Sequence, residues 1–146
     1  VEFCRSRVWR TFPYKGTRMG LLQVHQGLAN ASLLFSLIIA GYGLWRYFRK
    51  QGIDASFWGV LAAGELLYLA QIAVGLLLLA GGLRPARIAV HLLYGVVLAL
   101  VLPGAYVGTR AADSYREAGL YAVIGLFLAG IALRAMSTGA LPLPGG

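Results

Sequence analysis

The stretch FWGVLAAGELLYLAQIAVGLLLLA, Phe57–Ala80, decides the fold: it is apolar on every side and carries one charged residue, Glu65. The hydrocarbon core of a bilayer takes about 20 such residues per helical crossing. Three stretches of the same character lie at 21–45, 86–109 and 118–135, with charges gathered between or beside them. Their connections, 46–56, 81–85 and 110–117, are short, so consecutive helices are antiparallel neighbours. The class predicted is all-α: an integral membrane, up-and-down four-helix bundle over residues 21–136.

Composition agrees. Hydrophobic residues make up 59 % of the chain and charged residues 12 %, against about 25 % charged in soluble domains, and the mean hydropathy is +0.72. A soluble domain with a large core is disfavoured, because its helices would keep a polar face. Gly81 and Gly82 end the second span, and Pro85 opens the third at its first turn, where a missing N–H costs nothing. Pro103, inside the third span, predicts a kink.

The net charge is +8, yet the cations sit at span ends, which speaks for orientation in a membrane rather than for nucleic acid. Arg46, Arg49, Lys50, Arg110 and Arg116 stand on one side and Arg84, Arg87 and Arg134 on the other. This places connections 46–56 and 110–117 in the cytoplasm of a multi-pass cell-membrane protein. Val1–Arg18 would reverse the count. That segment has no apolar periodicity, and Met19-Gly20-Leu21 reads as a start, so residues 1–20 are expected to be an extension without structure or upstream of the true start. Cys4, the sole cysteine, lies in it, which leaves no intramolecular disulfide or cysteine cluster. Residues 137–146 are expected to be a flexible tail.

The chain has two histidines, His25 and His91, each about one turn inside the start of a span. The first and third spans run in the same direction, so both imidazoles come to one depth. Two neutral imidazoles level inside an apolar bundle suit the axial positions of a b-type heme. Ala29 and Gly95 follow them by four residues, giving clearance one turn deeper on each face. Copper and zinc ordinarily take three or four protein ligands, and none is added here. Arg84 and Arg87, on the same side, suit heme propionates, although interfacial anchoring explains them equally well. Without heme, each histidine would cap a helix end or bond a carbonyl at the interface.

Residues that are mostly small or weakly polar align on helix faces: His25, Ala29, Ser32, Ser36, Ala40 and Gly43 on the first span, Gly64, Gly75 and Gly82 with Tyr68 and Gln71 on the second, Ala118, Ala122, Gly125, Ala129 and Ala132 on the fourth. Such stripes let membrane helices approach closely, and packing is their expected role. Gln71, in mid-membrane, is expected to bond a cofactor edge, Ser32 or a carbonyl. Glu65 is open to two readings: a proton or quinone site, as intramembrane carboxyls often are, or a protonated carboxyl bonded to a neighbour such as Tyr42 or Tyr106.

His25 opening the first span, Gln71-Ile-Ala-Val-Gly75 in the second, the turn Gly81-Gly-Leu-Arg-Pro85, and Ile88-Ala-Val-His91-Leu-Leu opening the third resemble one four-helix half of heme A synthase. More loosely they resemble other small four-helix b-type cytochromes. The likeness runs from about Val24 to Arg134 and implies heme held near the outer membrane face. Departures bear on activity. Leu22 stands where that family has a glutamate and Gln26 where it has an arginine, its loop cysteines are absent, and one histidine pair replaces two. Hydroxylation of a heme methyl is therefore not expected.

The function expected is that of a membrane heme b protein passing one electron, with a quinone or another redox protein as partner, and with a homodimer or membrane-complex subunits as further associations. Two other classes stay open: a cofactor-free accessory subunit of a respiratory or transport complex, and a small transporter whose sensitive residue is Glu65. No nucleophile–base pair or phosphate loop is present to suggest another enzyme class.

Overall fold

The computed structural model describes residues 14–139. They form four helices in chain order: α1 (Tyr14–Phe48), α2 (Ala55–Ala80), α3 (Ile88–Gly108) and α4 (Tyr115–Gly139). All four are long and apolar enough to cross a membrane. The all-α four-helix bundle is as the sequence predicts, with differences at the element ends.

α1 begins at Tyr14, so residues 14–20 of the expected extension are helical. A helix once nucleated extends cheaply through residues without apolar periodicity. The remaining 1–13, with Cys4, lie outside the described residues. α4 runs to Gly139, and Thr138 is buried, so the first residues of the expected tail belong to the bundle; 140–146 lie outside the described part. Pro85 sits in the turn before α3 rather than in its first turn, and α3 continues through Pro103.

Each helix packs on two neighbours, α1 on α2 and α4, α3 on α2 and α4, leaving α1 and α3 diagonally opposite. The α1–α4 seam is the closest. A Cβ on Gly43 would lie 2.6 Å from the Ala118 carbonyl oxygen, and one on Gly125 would lie 2.6 Å from the Ala40 nitrogen. The small stripes of α1 and α4 thus bring backbone against backbone, as packing predicts. Phe57, Tyr68, Tyr121, Ile39 and Leu128 fill the centre. Ser36 donates to the Ser32 carbonyl at 2.7 Å, which leaves the Tyr68 hydroxyl to donate to Ser36 Oγ, also at 2.7 Å.

The outer surface is the reverse of a soluble bundle's. Leu66, Leu77, Leu100, Val107, Val123 and Leu126 are each at least 60 % exposed, an apolar coat that water-soluble monomers rarely show. At one end the connections 49–54 and 109–114 are clasped: the Ile53 N–H donates to the Asp113 carbonyl at 2.7 Å. Gly52 permits this approach, since a Cβ there would collide with that same carbonyl. Beside it Asp54 caps α2 by accepting from the Phe57 N–H, and pairs with Arg46 at 2.9 Å.

Candidate functional site

At the opposite end the two histidines meet across the diagonal. His91 is about one turn inside α3, but His25 lies about three turns inside α1, because α1 starts earlier than the apolar span does. The two remain level: their ring centroids are 6.2 Å apart with the planes at 60°.

Each ring rests against a glycine of a neighbouring helix. A Cβ on Gly75 of α2 would stand 3.0 Å from His25 Cε1, and one on Gly139 of α4 would stand 2.7 Å from His91 Cε1. Any larger residue at either place would push the imidazole out of its seat. Hydrogen bonding then differs between the two. His91 Nδ1 lies 3.0 Å from the Ala135 carbonyl, which can only accept, so the proton is on Nδ1 and Nε2 carries a lone pair. His25 Nε2 is 3.4 Å from the Gln71 side-chain nitrogen, which donates to it. That leaves His25 Nδ1 with its proton and Gln71 Oε1 as an acceptor, both buried and both without a partner.

A cavity of about 530 Å³ opens beside the rings, between α2 and α3, where the bundle is least tightly packed. His25, Gln71, Gly75, Arg84, His91 and Gly95 are all on its wall, among leucines and isoleucines. Gly95 gives the clearance its spacing suggested, the nearest neighbour to a Cβ there being Ile72 at 3.9 Å. Two expected residues are elsewhere. Ala29 is half-buried in α1 and off the cavity wall. Arg87 is exposed, and its backbone N–H donates to the Thr138 carbonyl at 3.4 Å, tying the start of α3 to the end of α4. Arg84 is exposed at the cavity mouth.

Gln71 bonds neither Ser32 nor a carbonyl but the imidazole itself. Glu65 is not brought to the rings: it is six residues from Gln71, about 9 Å along α2, and off the cavity wall. Its Oε2 is buried without a partner. Tyr42 instead accepts from Arg46, and Tyr106 packs edge-on to Trp58, so neither takes the bond anticipated for it. Gly139 and Ala135 were missed by the sequence reading. Their signal was present: Ala135 closes the fourth span and Gly139 continues the small-residue spacing of Ala129 and Ala132 four residues past it.

The residues fit a bis-imidazole metal. Two imidazoles bonded on opposite sides of one ion at ~2.0 Å have centroids ~6 Å apart, which matches the observed separation. A ligating histidine ordinarily donates its other N–H to a carbonyl, as His91 does to Ala135. Among the described residues no group of three or more His, Cys, Asp or Glu side chains gathers to hold an ion. Compared with known proteins, the chain matches no family model, no curated protein and no solved structure.

Proposed function

We propose that the chain is a multi-pass membrane protein that holds one heme b between His25 and His91 and passes single electrons near one membrane face. The observation that carries this is the facing pair of imidazoles, each seated on a glycine, beside an apolar cavity. Heme iron held by His25 and His91 would supply one-electron oxidation and reduction.

The side chains divide the work. His91 offers Nε2 with its tautomer set by the Ala135 carbonyl. His25 offers the second nitrogen once its ring turns so that Nδ1–H donates to Gln71 Oε1, a step that satisfies two buried orphans at once. Gly95 leaves width for a flat ring, leucines around it exclude water, and Arg84 at the mouth binds a carboxylate by charge-assisted hydrogen bonds. The imidazoles lie near the membrane face opposite Arg46, Arg49 and Lys50; with Lys15 and Arg18 inside α1, the described cations number five at each end, so the count no longer assigns that end to the cytoplasm. A quinone or a redox protein is the partner class.

Protein expressed in heme-replete cells and purified in detergent is expected to give a pyridine hemochrome of about one heme b per chain, and His91→Ala to remove it. Colourless protein that takes up no added hemin, or His91→Ala with heme retained, overturns the proposal.

A further inference from the structure

A second recess lies far from the histidines, on the outer face of the α1–α4 seam. It is a furrow of about 920 Å³. Ala40 and Gly41 of α1 and Gly119 and Ala122 of α4 form its floor, and leucines of both helices form its walls. Gly41 is open to it: a Cβ there would meet nothing within 4 Å.

Length and charge say what the furrow accommodates. From Leu126 to Arg116 the floor rises ten residues of helix, ~15 Å, half of the ~30 Å hydrocarbon core of a bilayer. One end is purely apolar. The other is ringed by Tyr47, Tyr115 and Arg116, with the Tyr47 and Tyr115 rings 5.9 Å apart and the Arg116 guanidinium 6.0 Å from the Tyr115 ring. Among the described residues Arg116 is in no ion pair, since Glu117 accepts instead from Ser114. Arg49 and Lys50, at the end of α1, add charge at the same level. Aromatic hydroxyls and cations at the depth of headgroups, above an apolar trough one leaflet long, form a complement to an anionic lipid.

We infer that this furrow is a binding site for one anionic phospholipid of the leaflet at the Arg116 end, an acyl chain lying along Gly41 and Ala122 and the phosphate facing Arg116. The inference rests on the membrane reading above but not on the heme.

The test is native mass spectrometry of the full chain in detergent with added phosphatidylglycerol or phosphatidylcholine. One phosphatidylglycerol is expected to stay bound in preference to phosphatidylcholine. Arg116→Gln is expected to weaken that preference about 5-fold, the worth of one cation at a membrane surface. Gly41→Leu fills the trough without a clash inside the bundle and is expected to lose both lipids while keeping its melting temperature. Equal retention of the two lipids, retention by Gly41→Leu, or a dimer that Gly41→Leu dissolves overturns the inference. Protein that keeps phosphatidylglycerol but binds no heme sinks the heme proposal and leaves this one standing.

Discussion

The α1–α4 and α2–α3 seams are built from the same alphabet to opposite ends. Across α1–α4, Gly43 and Gly125 bring backbone atoms of one helix within what would be bond-crowding range of a Cβ on the other. Across α2–α3, Gly95 faces Ile72 at an ordinary 3.9 Å, and a cavity of about 530 Å³ stands between the helices. A glycine met by backbone closes a seam, whereas one met by a side chain leaves space or seats that side chain. Apolar helices in lipid gain little from burying leucine, so small residues decide where they touch.

Breaking the tight seam should have the largest effect. Gly125→Leu sets a side chain where Ala40 and Ser36 backbone atoms stand within 3 Å, and overpacking of this kind costs about 3 kcal/mol or more. A fall in melting temperature of roughly 10 °C in detergent is expected. The cavity wall should respond differently. Gly139→Leu displaces the His91 ring and is expected to weaken hemin binding at least 100-fold, by more than loss of a hydrogen-bond partner does, while the helical circular dichroism stays intact. Gly95→Ala, with room to spare, should bind hemin as the parent does. If the two variants behaved alike, the distinction between a seat and a gap would fail.

Gln71→Leu sharpens the comparison between the two imidazoles. It removes the side chain that bonds His25 and is expected to weaken hemin binding about 10-fold, within the range for lost partners of metal ligands. Gln71→Glu, which keeps an acceptor, should restore binding and lower the midpoint potential, a response that a packing role would not produce. The smallest effect belongs to the clasped end. The Phe57 N–H, and after it the Arg46 guanidinium, hold the Asp54 carboxyl below its ordinary range. A group whose pKa is depressed by folding stabilises above its unfolded value and loses that contribution as pH falls through the folded one. Melting temperature should therefore fall slightly between pH 6 and pH 3, and Asp54→Asn should flatten that dependence.

The bundle was legible because apolar length, short connections and turn glycines are local signals. So was the depth of the imidazoles, since antiparallel order follows from connection length alone. The ends of α1 and α4 were not, for Tyr14–Gly20 and Ser137–Gly139 are helical through continuation rather than composition. The seats under the rings were only half visible. Gly75 stood on a small-residue face, but that it would cradle His25 depends on how far α1 is rotated about its axis, which no spacing reports. Arg84 and Arg87 looked equivalent in sequence, yet the turn at Gly81–Arg87 sends one to the cavity mouth and commits the other's backbone to Thr138.

The hydrogen bond from Ile53 to Asp113 joins the two helical hairpins at one end, and the α1–α4 seam joins them along its length. The bundle is therefore bound like a book, with α1–α4 as its spine and the loosely packed α2–α3 side as its fore-edge. The cavity beside the imidazoles lies on that fore-edge. On the heme proposal, the ring would be admitted from the fore-edge, and substitutions along the spine would leave that entrance unchanged in composition.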